Sequence, residues 1–96
     1  MTNAEVLAIY QSRSILKGLS GFKLAKAIVL NMKKIEDELI TVVQELTKDK
    51  SKEEVDTIVE GILAKENEII FITLSDEDIP GDVTVEQYSV LSQFIK

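Results

Sequence analysis

GFKLAKAIVLNMKKIEDELITVVQELTKDK, from Gly21 to Lys50, is the stretch that decides the fold. Apolar residues recur in it at alternating spacings of three and four, which is typical of one long amphipathic helix. The apolar seam consists of Ala25, Ile28, Met32, Ile35, Leu39, Val42 and Leu46. We therefore predict a helix over Gly21 to Lys48, which at about 1.5 Å per residue is roughly 40 Å long.

Helix-capping patterns predict three shorter helices around this long one. In each, a Ser or Thr is followed three residues later by Glu or Gln, so that side chain and backbone can bond reciprocally. The three pairs are Thr2 with Glu5, Ser51 with Glu54, and Thr84 with Gln87. The helices predicted from them run over Asn3 to Lys17, Lys52 to Lys65 and Val85 to Ile95. The last of these is expected to bury Tyr88, Leu91 and Ile95.

The connections between these elements define the fold class. Gly18 to Gly21 is so short that the first two helices must form an antiparallel hairpin, with Ser20 as the N-cap of the second. Ile69 to Leu74 is β-branched and aromatic, so we predict one short strand there. Its partner is either a piece near Asp82 and Val83 or its own copy in a second subunit. We predict one mainly α domain over residues 1–96: a hairpin with a long central helix, a third helix, one strand and a short C-terminal helix.

Composition argues against an enzyme. The chain has no cysteine and no histidine, which removes the thiolate nucleophile, the commonest general base and the commonest transition-metal ligand. Serines therefore have no histidine to activate them. The acidic loop from Asp76 matches a calcium loop only in part, because Pro80 takes a ligand position and Gln87 replaces the bidentate glutamate. We expect no catalytic residue, no metal site and no cofactor.

Charge is divided unevenly along the chain. Residues 1–34 hold six basic residues and one acid, whereas residues 35–96 hold 16 acids and five lysines. The net charge of -6 argues against a protein that coats DNA. The basic third is either a local anion site, half of a charge-matched contact, or simply the side of the fold that lies beside the acidic helices.

Nothing in the sequence directs it to a membrane. Met1 to Glu5 lacks the layout of a signal peptide, and no apolar run approaches the roughly 20 residues of a membrane span. We expect a cytoplasmic protein with no membrane partner.

The basic end of the hairpin is the best candidate for a binding site. Free amides at the start of the second helix, several cations and a nearby aromatic ring would together suit a phosphate or a nucleotide. The candidate residues are Tyr10, Arg13, Lys17, Ser20, Lys23 and Lys26. The alternative is that these cations merely flank a solvated turn.

A second copy of the chain is the expected partner. The first helix is about half as long as the second and cannot cover the whole seam, and residues 27–30 are apolar all round the helix. We therefore predict a homo-oligomer. The alternative is a monomer whose C-terminal part wraps the long helix.

Two separated patterns resemble a family of small uncharacterised bacteriophage proteins. The first is A-I-x-x-N-x-K-x-[IL]-x-x-E-L, here Ala27 to Leu39. The second is an E-[IV]-x-[IF] strand at Glu68 to Ile72, followed by a turn over Asp78 to Thr84 and a final helix ending in Phe94-Ile95. The resemblance covers about half of the chain, which has a shorter central segment than longer relatives, and it implies a phage origin.

A phage origin favours a binding function. Small phage proteins without catalytic residues generally bind something. Our hypothesis is a non-enzymatic counter-defence protein in the host bacterial cytoplasm, because this function uses both the predicted homo-oligomer and the basic end of the hairpin. It would either sequester a nucleotide-type immune signal or block a host defence protein. The alternative is an accessory protein of virion assembly, in the head or tail.

Overall fold

The computed structural model describes residues 1–95 and shows a mainly α fold. Five α-helices follow one another along the chain, with shorter helical turns between them. The α-helices are α1 (Asn3–Gln11), α2 (Phe22–Ile35), α3 (Thr41–Thr47), α4 (Lys52–Leu63) and α5 (Val85–Leu91). The 3₁₀ turns are Arg13–Leu16, Asp76–Asp78 and Ser92–Phe94, and a π-helical turn over Glu36–Ile40 joins α2 to α3.

The long central helix is confirmed. Helix α2, the π-helical turn and α3 run without interruption from Phe22 to Thr47, close to the predicted bounds. The helix ends where the Thr47 hydroxyl donates to the carbonyl of Val43 at 2.7 Å and Asp49 takes a positive φ of 59°. That left-handed conformation is one that aspartate tolerates better than most residues.

The helix starts predicted from capping patterns are also confirmed. The Thr2 N–H donates to Glu5 Oε1 at 2.9 Å, and the Glu5 N–H donates to Thr2 Oγ1 at 3.3 Å. Thr84 and Gln87 form the same reciprocal pair before α5, and the Ser51 hydroxyl accepts the Glu54 N–H before α4. A further box, between Ser75 and Asp78, caps the 3₁₀ turn in the acidic loop that resembled part of a calcium loop.

Two of these capping carboxylates should make the fold less stable in acid. The Thr2 backbone N–H lowers the pKa of Glu5, and the Ser75 backbone N–H lowers the pKa of Asp78. A lowered folded-state pKa gives stability that is present above the ordinary carboxyl pKa and is lost as the pH falls through the folded-state value. The free energy of unfolding, measured by urea denaturation, should therefore fall between about pH 5 and pH 2. A double Glu5→Gln, Asp78→Asn variant should show a shallower slope than Glu60→Gln, and equal slopes would contradict this origin.

The connection between α1 and α2 differs from the prediction. The first α-helix ends at Gln11 and continues only as a 3₁₀ turn, so Lys17 (φ -64°, ψ 143°) is extended and does not belong to the last turn of a helix. Gly18 has a φ of 85° and Gly21 a φ of 114°. Gly21, not Ser20, is the N-cap of α2, because a positive φ at that position favours glycine. Glycine has no side chain, so the start of α2 has no side-chain capping bond.

The buried face of the long helix starts one residue earlier than the predicted seam. Ala25 is exposed and Ile28 only half-buried, while Val42 and Leu46 are 41% and 50% exposed. The buried residues of the long helix are Leu24, Ala27, Asn31, Met32, Ile35 and Leu39, of which Met32, Ile35 and Leu39 belong to the predicted seam. The polar residue in this row, Asn31, explains the error, because an apolar pattern does not count an amide as buried.

The predicted strand is wrong as a regular element. Ile69 to Leu74 belongs to no ladder in the described part of the chain; it is held at Leu74 by an isolated parallel bridge to Ile95. The Asn31 side chain takes the place of a neighbouring strand. Its Oδ1 accepts the Ile72 N–H at 2.8 Å and its Nδ2 donates to the Ile72 carbonyl at 2.9 Å. Asp82 and Val83, considered as partners for the segment, do not pair with it.

The C-terminal helix closes the core. Leu91 and Phe94 are 0% and 1% exposed, and the Phe94 ring lies 5.2 Å from the Phe71 ring, centroid to centroid. Tyr88, predicted to be buried, is 43% exposed and donates its hydroxyl to Asp76 at 3.3 Å, and Ile95 is only partly buried. The buried side chains of this region therefore come from the last residue of α5 and from the 3₁₀ turn that follows it.

Candidate ligand-binding groove

An open groove of about 560 Å³ lies between the first limb of the hairpin, here residues 10–17, and the second half of α2. Both sides of the hairpin contribute side chains to it. The first limb provides Tyr10, Gln11, Arg13, Ser14 and Lys17, and the long helix provides Ile28, Val29, Met32, Lys33 and Glu36. Tyr10, near the end of α1, contacts Glu36, the first residue of the π-helical turn that follows α2.

Tyr10, Arg13 and Glu36 form one connected cluster at an end of the groove. The Tyr10 hydroxyl donates to Glu36 Oε2 at 3.1 Å. The Arg13 guanidinium carbon lies 4.1 Å from the centre of the Tyr10 ring, and its Nη1 donates to the Tyr10 carbonyl at 2.8 Å. The hydrogen bond to Glu36, followed by partial burial, raises the pKa of Tyr10, so its hydroxyl stays a neutral donor at pH 7.

An apolar strip along α2 forms the floor. Met32 is buried and Ile28 half-buried, but Val29 is 64% exposed. A large exposed apolar surface inside a concave site is what a planar or apolar ligand group can cover. The floor is therefore suited to the ring of a ligand and not to its charge.

The rim of the groove carries positive charge. Arg13, Lys17 and Lys33 are all exposed, and Glu36 is the acid that lines the groove with them. Arg13 uses one of its five N–H donors on the Tyr10 carbonyl, which leaves others for a ligand. Three cations and an apolar floor in one groove are complementary to a ligand that carries both an anionic group and a ring.

The structure brings together three of the six predicted site residues. Tyr10, Arg13 and Lys17 line the groove, whereas Ser20, Lys23 and Lys26 do not. Lys23 Nζ lies 3.8 Å from Asp78 Oδ1, and Lys26 Nζ lies 6.0 Å from the centre of the Phe22 ring. Both lysines border a smaller pocket of about 250 Å³ beside residues 72–74.

The prediction placed the site at the first turn of α2, but the groove lies beside the second half of that helix. No residue of that first turn is among the described lining residues. Lys33 and Glu36 are the functional candidates that sequence reasoning missed. Their signal was present, since Val29, Lys33 and Glu36 are spaced four and three apart and so share a helix face. It was hidden because Ile28 and Met32, on the same side, had been assigned to the apolar seam.

Two other kinds of feature are absent from residues 1–95. No group of three or more acidic side chains is placed to hold a metal ion, and the chain has no cysteine or histidine to add. Within the same residues, no helix has the length and hydropathy needed to cross a membrane.

Comparisons with known proteins do not place the chain in a family. No family model, no curated protein and no solved structure matches it. The resemblance to small bacteriophage proteins therefore stays a prediction. The two patterns that carry it do meet in space, because the asparagine of the first, Asn31, bonds to the backbone of the second at Ile72.

Proposed function

We propose that the protein is a non-enzymatic binding protein that holds a nucleotide-type anion in the groove between α1 and α2. The observation that supports this most directly is that three exposed cations, Arg13, Lys17 and Lys33, line one groove together with apolar side chains of α2. The groove volume of about 560 Å³ falls within the range of small-molecule sites.

Each part of the groove has a role in the proposed complex. Phosphate oxygens accept charge-assisted hydrogen bonds from Arg13, Lys17 and Lys33. The base lies on the floor beside Val29 and Met32, where it covers exposed apolar surface. Glu36 accepts a hydrogen bond from a ribose hydroxyl or a base amino group, while its bond from Tyr10 holds the carboxylate in position.

The resemblance to phage proteins gives the proposal a biological setting. In that setting the protein acts against host defence by sequestering a nucleotide signal. A groove with no histidine to activate Ser14 suits storage of a ligand and not its conversion.

Ligand binding should raise the melting temperature by several degrees. A ligand at about 100 times its Kd adds roughly 2.7 kcal/mol to the free energy of unfolding. The probes are a 3′,5′-cyclic mononucleotide, a cyclic dinucleotide and ADP-ribose, each titrated in a thermal-shift assay and followed by calorimetry. A double Arg13→Glu, Lys33→Glu variant should lose the shift, because two of the three rim cations then repel the phosphates.

The matched control is Lys26→Glu, which reverses a cation of α2 that does not line the groove. It should keep most of the shift. The proposal is refuted if none of the three probes shifts the wild-type protein. A shift that survives in the Arg13, Lys33 double variant would place the ligand elsewhere.

A homo-oligomer forms part of the same proposal. Val42 and Leu46 on α3 remain 41% and 50% exposed, which leaves apolar surface for a second copy. Light scattering on the purified protein should therefore give a mass of at least twice the 10.7 kDa of one chain. A mass of one chain at all concentrations tested would contradict the oligomer and leave the groove proposal standing.

A further inference from the structure

The extended segment from Ile69 to Leu74 has one satisfied edge and one open edge. On the satisfied edge, the Ile72 N–H and carbonyl bond to Asn31, and the Leu74 N–H donates to the Phe94 carbonyl at 2.8 Å. Successive peptide groups of an extended chain point to opposite edges. The N–H and carbonyl groups of Phe71 and Thr73 therefore point the other way. Within residues 1–95, neither pair has a hydrogen-bond partner.

Two apolar side chains of this segment reach solvent. Ile70 and Ile72 lie on the face that also carries the buried Leu74, and they are 83% and 37% exposed. Phe71 points to the other face, where its ring packs on Phe94. Unpaired backbone groups next to exposed apolar side chains are the features by which a sheet edge accepts an additional strand.

Negative charge lies at both ends of the open edge. Glu68 precedes the segment, next to Glu66, whose carboxylate is paired with the Met1 ammonium group at 3.0 Å, and the turn Asp76–Asp78 follows it with three acids in a row. Lys23 lies beside this second end, but its ammonium group is already 3.8 Å from Asp78. The segment from Ile69 to Leu74 carries no charge itself.

We propose that this edge binds an extended peptide of another protein, with apolar residues at alternate positions and a basic residue at each end. The peptide would take up the four free backbone groups of Phe71 and Thr73. Its alternate apolar side chains would cover Ile70 and Ile72, and its basic ends would face the two acidic ends of the segment. This interface is separate from the groove and does not depend on the ligand proposed there.

Charge disfavours a second copy of the chain on this edge. An antiparallel pair that uses the free groups of Phe71 and Thr73 would place Ile72 of each copy opposite Ile72 of the other. The same register brings Glu68 of each copy to Asp76 of the other, so like charges would meet at both ends. Acidic ends of this kind protect an exposed edge from pairing with itself.

Amide hydrogen exchange measured by NMR tests the proposal residue by residue. The probe is an end-blocked peptide, Arg-Val-Thr-Val-Thr-Val-Arg, added to the full chain up to millimolar concentration. In the free protein, the amides of Ile72 and Leu74 should exchange slowly and those of Phe71 and Thr73 rapidly. The peptide should slow exchange at Phe71 and Thr73 at least tenfold, whereas the same peptide with Glu at both ends should not.

Two sets of variants separate the backbone and charge contributions. Thr73→Pro removes an N–H that has no partner within the described residues, so it should abolish peptide binding measured by fluorescence anisotropy. Glu68→Lys with Glu77→Lys should shift the preference to the Glu-ended peptide. The matched control, Glu53→Lys with Glu60→Lys on α4, should leave the preference unchanged.

Three results would overturn the proposal. The first is no added protection at Phe71 and Thr73 at millimolar peptide. The second is protection that rises with protein concentration in the absence of peptide, which would assign the edge to a second copy. The third is equal binding of the Arg-ended and Glu-ended peptides. The first two readouts use the unmodified protein, so they hold even if the proline variant fails to fold.

Discussion

Phe94→Ala is expected to lower the free energy of unfolding by roughly 3–5 kcal/mol, the range found when a buried phenylalanine is cut to alanine. Phe94 is 1% exposed and is among the largest fully buried side chains of the protein. Its ring packs 5.2 Å from that of Phe71, and its carbonyl accepts the Leu74 N–H. A cavity there would loosen both the C-terminal turn and the extended segment beside it.

Urea denaturation followed by circular dichroism measures this loss. A domain of this size has a total stability of roughly 5–14 kcal/mol, so the variant should unfold at a much lower urea concentration. Phe22→Ala is the matched control, because the Phe22 side chain is 82% exposed and its loss should cost no more than about 0.5 kcal/mol. Equal midpoints for the two variants would show that Phe94 does not occupy the core described here.

Asn31→Leu is expected to lower the free energy of unfolding by roughly 2–4 kcal/mol, because it removes two hydrogen bonds and leaves the N–H and the carbonyl of Ile72 without partners. Asn31 is 0% exposed, and its side chain hydrogen-bonds to both the N–H and the carbonyl of Ile72, at 2.8 and 2.9 Å. Leucine has the same branched shape as asparagine and the same number of side-chain heavy atoms, but it can neither donate nor accept a hydrogen bond. The change therefore isolates hydrogen bonding more than volume.

Hydrogen exchange gives this second prediction a local readout in addition to the unfolding midpoint. The Ile72 amide should lose its protection from exchange in Asn31→Leu. The amides of α4 should stay protected, and their protection should fall only in proportion to the lower free energy of unfolding. Gln44→Leu is the matched control on the same long helix, since Gln44 is exposed, and it should change stability by no more than about 0.5 kcal/mol. A protected Ile72 amide in Asn31→Leu would show that the segment is held by something other than the asparagine.

Local signals in the sequence predicted the helices well. A capping pair such as Thr2 with Glu5 acts within three residues, so its meaning does not depend on the rest of the fold. Heptad spacing likewise predicted the helix from Phe22 to Thr47 as one element. Neither signal specifies which side of a helix faces its neighbours once a polar residue such as Asn31 lies in the core.

The extended segment shows where local reasoning fails. Its β-branched and aromatic residues are those of a strand, but a strand also needs a neighbour with free backbone groups. Here the side chain of Asn31 supplies the donor and the acceptor for Ile72, which lies 41 positions further along the chain. A contact over that distance leaves no periodic trace in a single sequence.

The groove was predicted in part for a similar reason. Tyr10, Arg13 and Lys17 are close in sequence, and their common position near the hairpin could be inferred from spacing alone. Lys33 and Glu36 join them only because the fold brings the last turn of α2 and the residue after it, and not the first turn, against the end of α1. The crossing point of two helices depends on how the 3₁₀ turn Arg13–Leu16 leads into the connection. That geometry cannot be read from composition or period.

The π-helical turn over Glu36–Ile40 determines where a relative of this chain can lose a residue. A π-turn holds one residue more than the α-turn it replaces, so a deletion there would restore a regular helix and leave both flanks in phase. A deletion anywhere else in the long helix would rotate one flank by about 100° relative to the other and misplace the row from Leu24 to Leu39. In an alignment of related sequences, a one-residue gap should therefore fall between positions 36 and 40.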